Sequence, residues 1–99
     1  MTQMNSTAKF KFRLYIAGDT ANSAQAIANL SAICKKYMPE QHNVEIGDVF
    51  REPKRALEER ILMTPTLLKL MPSPTMRIVG TLGQTQIVLQ AMGLEMSAT

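Results

Sequence analysis

The chain is 99 residues long, with 11 Lys and Arg against 8 Asp and Glu, a net charge of +3 at neutral pH, and 45% hydrophobic residues. This length and balance predict one globular domain with a modest core and exclude a multi-domain enzyme. A single cysteine, Cys34, excludes an internal disulfide, and the longest mostly apolar stretch, Ile61 to Met71, falls far short of the roughly 20 residues that span a bilayer.

Residues 1–8 and 95–99 are small and polar and are expected to be flexible tails around a domain at 9–94. Phe10, Phe12, Leu14 and Ile16 alternate with Lys11, Arg13 and Tyr15, a period of two that predicts a strand with one apolar face. Its short apolar run, Leu14 to Ala17, cannot form a signal peptide, so a cytoplasmic location is expected. After Gly18-Asp19-Thr20, Asn22 reads as an N-cap with Gln25 at the third helical position. Ile27, Leu30, Cys34 and Tyr37 then form a helical stripe flanked by Ala26 and Ile33, ending near Met38-Pro39.

Asn43 to Val49 reads as the second strand. Pro53 suits the first position of a short helix. Ala56, Leu57 and Ile61 are its expected buried side, with Lys54/Glu58 and Arg55/Glu59 as solvated pairs. Thr66 to Met71 is the third strand, Pro72-Ser73-Pro74 a stiff turn, and Met76 to Val79 the fourth strand. Ile87, Val88, Ala91 and Leu94 mark the buried face of a last helix preceded by Gly83 as its cap.

The order is β-α-β-α-β-β-α. The opening strand–helix–strand demands a crossover and hence two parallel strands, whereas the short turn between the third and fourth strands makes that pair antiparallel. A mixed four-stranded sheet with three helices is the thioredoxin-like arrangement, an α/β fold. In that fold the proline before the third strand, Pro65, is expected to be cis.

Catalytic chemistry is hard to place on these residues. A thioredoxin-type reductase needs a Cys-x-x-Cys at the start of the first helix, and Gly18 to Ser23 contains no sulfur. Cys34, on the apolar stripe, reads as a small hydrophobe. A thiol-sensing protein without the motif remains the alternative, and it requires Cys34 to be reactive. His42, in a polar loop, has no second ligand for a zinc site. Glu45 and Asp48 lie at odd separation on one strand and face different ways, and Glu58 and Glu59 read as helix-surface charges. No enzyme, cofactor or metal is expected. The basic residues are scattered among acidic ones, which reads as a solvated surface rather than a nucleic-acid site. Leu14 to Gly18 is similar to the shorter RNA-recognition sheet motif, but its partner motif is missing, and Tyr15 reads as a strand residue on a partly covered face.

Arg13-Leu14-Tyr15-Ile16-Ala17-Gly18-Asp19-Thr20, Asn22-Ser23, Asp48-Val49, Pro53, Ile61 to Leu67 and Ile78-Val79-Gly80 together resemble the KaiB family of circadian-clock proteins. The N-terminal sensor domain of the SasA kinase is similar to that family. The resemblance runs from about Lys9 to Leu94 and implies a non-catalytic protein-binding module. Its implied partners are a KaiC-type ATPase, with KaiA-like and sensor-kinase proteins as further ones, and a homo-oligomer, dimer or tetramer. A divergent homologue in stress or signalling is the variant reading. The resemblance also implies fold switching of the C-terminal half between a tetrameric ground state and the thioredoxin-like state.

By position, Phe10 and Arg60 match family residues implicated in KaiC contact. Glu45 stands where the clock proteins carry Lys in the contact surface, and Gln25 where they carry Arg. The family's proline triplet is reduced to Pro72-Ser73-Pro74. Ala91 and Gly93 replace a Gly and an Asp, which favours the last helix, since Ala is about 1 kcal/mol better than Gly in a helix interior and Gly93 can serve as a C-terminal cap. Pro65, Pro72, Pro74, Ala91 and Gly93 are thus the expected fold-switch positions, with the thioredoxin-like state dominant in the free chain.

Overall fold

A computed structural model describes residues 8–93. Seven elements follow in chain order: β1 (Phe10–Ile16), α1 (Ala21–Tyr37), β2 (His42–Asp48), α2 (Pro53–Glu58), β3 (Thr66–Met71), β4 (Met76–Val79) and α3 (Thr85–Ala91). The sheet order is β2-β1-β3-β4, with β1 parallel to β2 and both other pairs antiparallel. This is the thioredoxin-like arrangement expected from the element order. The Thr64–Pro65 bond is cis as expected, and Met71–Pro72 and Ser73–Pro74 are cis as well. Ala8, placed in the tail by its polar neighbours, is buried. The other tail positions and Leu94 lie outside the described residues.

The two-residue period of β1 sends Phe12 and Leu14 to one face of the sheet and Arg13 and Tyr15 to the other. The first face carries the main core. Phe12, Leu14 and Leu67 pack there against Ala26, Leu30, Ile33 and Cys34 of α1 and Val88, Leu89 and Met92 at α3. The stripe of α1 is turned from its expected phase: Ala26 and Ile33 are central, while Ile27 is 38% exposed and Tyr37 half-buried.

The N-cap of α1 is Thr20, two residues before the expected Asn22. Its hydroxyl oxygen accepts from the Ser23 amide at 3.2 Å, and the Ser23 Oγ accepts from the Ala17 amide at 3.0 Å. The Thr20 hydroxyl in turn donates to the Ser23 Oγ at 2.7 Å, so the buried Ser23 hydroxyl is bonded from both sides.

The last helix also differs in phase. Val88, Leu89 and Met92 are buried, Ile87 is exposed, and Ala91 is the final helical residue. Its N-cap is Gln84 rather than Gly83. Gly93 follows the cap with φ +82°, the left-handed conformation that a helix-ending glycine supplies without strain.

The opposite face holds a smaller core of Tyr15, Ala56 and Leu68, edged by Val49, Ile61 and Leu70. Tyr15 is fully buried there rather than on a partly covered face. Its ring occupies the space beside its cross-strand neighbour Gly47, where a Cβ would come within 2.9 Å of Tyr15 Cε1. Gly47→Ala is therefore expected to force the ring aside and lower stability by about 1–3 kcal/mol. Urea unfolding at constant m-value checks this, and an unchanged midpoint refutes it.

Candidate functional site

The face opposite the main core is the chemically distinctive part of the molecule. Parallel register sets Arg13 beside Glu45 and Tyr15 beside Gly47, so β1 and β2 present a charged and aromatic row to α2. Pro53 starts α2 at a position where its missing N–H costs nothing. The helix is six residues long, and its sheet-facing side is Ala56 together with Arg55 and the following Glu59. Leu57, expected inside, is 76% exposed. In so short a helix, charged residues occupy the positions that a longer one would give to aliphatic side chains.

Six side chains form one connected network. Arg13 donates from Nε to Glu45 at 3.0 Å and from Nη1 to Glu59 at 2.8 Å. Arg55 clamps Glu45 through both terminal nitrogens, at 2.8 and 3.0 Å, and reaches Glu52 at 3.1 Å. The Tyr15 hydroxyl donates to the Glu59 carboxylate. Arg55 and Glu59, read from sequence as a solvated pair, are 3.9 Å apart, and each makes its closer contacts elsewhere. Glu59 is thus a bridging group rather than an ordinary surface charge.

The end of α2 is fixed from the edge strand β4. Arg77 of β4 donates to the carbonyl oxygens of Arg60 at 2.9 Å and Glu59 at 2.8 Å. The Arg60 amide bonds the Leu57 carbonyl at 3.0 Å and the Ile61 amide bonds Ala56 at 2.9 Å, the paired bonds of a Schellman ending. Arg60 occupies the left-handed position of that motif, with φ 57°, where glycine is usual.

Electrostatics follow from this wiring. Donation from Arg55, reinforced by Arg13, holds the Glu45 carboxyl below the usual carboxylate range, and Glu45 and Glu52 raise Arg55 in return. Burial, with the Glu59 carboxylate as second cause, pushes Tyr15 up to about 12. On the other face, burial pushes the Cys34 thiol up to about 12. A protonated, buried thiol is a poor nucleophile, which disfavours the thiol-sensing reading. His42 is not a free loop residue: it opens β2, and its Nδ1 lies 2.7 Å from the Met38 carbonyl oxygen.

Of the residues singled out in the sequence, Glu45 and Arg60 share the α2 side, Glu45 within the network and Arg60 exposed beyond the helix. Phe10 lies on the opposite face, half-buried, with its ring stacked on Phe12 at 6.3 Å. Gln25 is exposed on α1. Pro65 is buried at the entry to β3, Pro72 and Pro74 are exposed in the β3–β4 turn, and Ala91 and Gly93 end α3. They do not converge on one point.

Sequence reasoning missed Arg13, Tyr15, Arg55 and Glu59 as a unit. The alternation of β1 placed Arg13 and Tyr15 together, but their meeting with α2 depends on strand register. It also missed exposed Phe50, Leu57, Leu62 and Met63. Their neighbours Arg51, Lys54 and Arg60 make no side-chain ion pair among the described residues. The strand polarities bring the segments after β2 and before β3, which carry Phe50, Leu62 and Met63, to one end of the sheet.

Two pH dependences follow. Glu45 contributes stability that is complete above the ordinary glutamate value of 4.5 and is lost as pH falls through its lower folded value. Tyr15 contributes stability that is complete below 10 and is lost as pH rises toward 12. Glu45→Gln is expected to flatten the acid limb of a stability–pH curve, and Tyr15→Phe the alkaline limb. Parallel wild-type and variant curves would contradict the network.

Comparison with known proteins agrees with this architecture. The solution structure of the N-terminal domain of Synechococcus elongatus SasA matches with TM-score 0.71 at 14% identity, covering 100% of this chain and 97% of that one. Chloroplastic thioredoxin z matches with TM-score 0.73 at 19% identity, covering 89% and 79%. In sequence, the chain is 49% identical over 83 residues to circadian clock protein KaiB3 of Synechocystis, covering 84% of this chain and 79% of that protein. It is 38% identical over 85 residues to circadian clock oscillator protein KaiB of Thermostichus vulcanus, covering 86% and 79%. Residues 13–94 match the KaiB domain, and the chain belongs to the KaiB family.

Proposed function

We propose that this chain is a non-catalytic protein-binding module that engages a KaiC-type ATPase and thereby modulates signalling downstream of it. The observation that carries the reading is the KaiB domain match along residues 13–94. It is supported by a thioredoxin-like scaffold whose α1 begins at Thr20-Ala21-Asn22-Ser23, with no thiol where a reductase needs one. What the surface offers is binding chemistry: exposed Phe50, Leu57, Leu62 and Met63 as apolar anchors, with Arg51, Lys54 and Arg60 beside them in sequence as uncommitted cations. KaiA-like and sensor-kinase proteins are further candidate partners. The thioredoxin-like arrangement is the binding form and dominates in the free chain, where Ala91 and the cap at Gly93 favour α3.

The test is retention of a cognate KaiC-type ATPase by the immobilised chain, with and without ATP. Nucleotide-dependent retention supports the reading. No retention, together with salt-sensitive RNA binding or activity that requires Cys34, would replace it.

Arg60 offers a sharper experiment, because its backbone and its side chain pull in opposite directions. A non-glycine residue in the left-handed region costs roughly 1–2 kcal/mol, and the Arg60 side chain makes no ion pair among the described residues. Arg60→Gly is expected to raise stability by about 1 kcal/mol while weakening ATPase binding. Thermal unfolding and a binding titration read the two effects separately, and a variant that loses stability or binds unchanged refutes the assignment.

A further inference from the structure

Lys69 sits in the middle of β3, on the same face as Leu67. Its cross-strand neighbours are Phe12 on β1 and Met76 on β4, and both Phe12 and Leu67 belong to the main core. The residue is only 3% exposed. A lysine flanked this way ordinarily runs its stem along apolar surface until the ammonium reaches water. Here almost the whole side chain stays buried. Among the described residues its ammonium donates to the Met92 carbonyl oxygen at the end of α3, a long bond at 3.5 Å. Among the described residues no carboxylate pairs with it.

An ammonium carries three donors. Burying it is costly unless it is paired and fully hydrogen-bonded. The carbonyl end of a helix supplies only a partial negative charge, so the compensation that the described residues give Lys69 is incomplete. The element that supplies it is itself weakly anchored. With seven residues and no side-chain cap at its start, α3 is well below the roughly 12–15 residues at which a helix becomes marginally stable alone. It is held by Val88, Leu89 and Met92 docking on the sheet. Docking of α3 and burial of the Lys69 ammonium are therefore one event.

We propose that Lys69 is a release charge built into the fold: its burial opposes the docking of α3 and sets how readily that helix leaves the sheet. The idea rests on the docking of α3 on the sheet alone, and it names the residue that biases that docking. Its chemistry differs from that of the proline and helix-propensity positions, because it acts through desolvation of a charge rather than through backbone preference.

The test is native-state amide hydrogen exchange on the full chain, comparing Val88 and Met92 of α3 with Leu14 of β1. Lys69→Met keeps an unbranched stem and removes the charge, and is expected to raise protection at Val88 and Met92 at least tenfold relative to Leu14. Lys69→Arg keeps the charge and is expected to leave that protection at or below the wild-type level. Unchanged or reduced protection in the Met variant, its failure to fold, or an equal gain in the Arg variant would each overturn the proposal. No partner enters this measurement, so a failure of ATPase binding and a failure of the release charge are distinguishable.

Discussion

The parallel pairing of β1 with β2 is the constraint from which the rest of the molecule follows. Two parallel strands cannot be joined by a tight turn, so the chain must cross over the sheet, and α1 is that crossover. Its passage commits one face to the apolar core, with Phe12 and Leu14 beneath it. The same register leaves Arg13, Tyr15, Glu45 and Gly47 in two adjoining pairs on the other face. Something had to cover that row, and a helix presenting only aliphatic residues would have left the Tyr15 hydroxyl without its partner and the Arg13 guanidinium with Glu45 alone. Buried polar groups are tolerated when bonded and costly when not. The sequence of α2 answers this with Arg55 and Glu59 around a single small core residue, Ala56.

That solution makes the two faces physically different. The α1 side is held mainly by apolar area buried. The α2 side is held by oriented charge around a tyrosine, so its strength depends on the ionisation of a few groups. Arg77 extends the second regime across the sheet, since its bonds to the Glu59 and Arg60 carbonyls join β4 to the end of α2. Beyond the β1–β3 ladder, the C-terminal half is tied to the N-terminal half by polar contacts on one face and by the apolar side chains of a short helix on the other.

The strands were legible because each rule that places them is local. Alternation marked β1, and Pro-rich turns bounded β3 and β4. The crossover argument then gave the sheet its mixed topology without any knowledge of packing. Helix phase was less legible. In α1, Ile27 and Ile33 are equally apolar and lie on neighbouring stripes, so the choice between them was settled by what packs across from them. In α3, Ile87 and Leu89 posed the same ambiguity. The charge network was illegible for a different reason. Arg13 and Glu45 are 32 positions apart and Arg13 and Glu59 are 46 apart, and only strand register and the seating of α2 bring them together. Lys69 looked like one more cation interrupting an apolar stretch, and nothing local distinguished a buried lysine from a snorkelling one.

The position of Glu45 between two guanidinium groups carries a consequence for how such a surface can diverge. A lysine at 45, with Arg13 and Arg55 left in place, would put a third cation where both guanidinium groups now meet a carboxylate, and like charges in contact are strongly disfavoured. A glutamate introduced into a relative lacking those arginines would gain no clamp. Neither step is easy alone. Positions 13, 45 and 55 therefore form a linked set, and a lineage moving between an acidic and a basic version of this face would have to change Glu45 together with at least one of its two arginines.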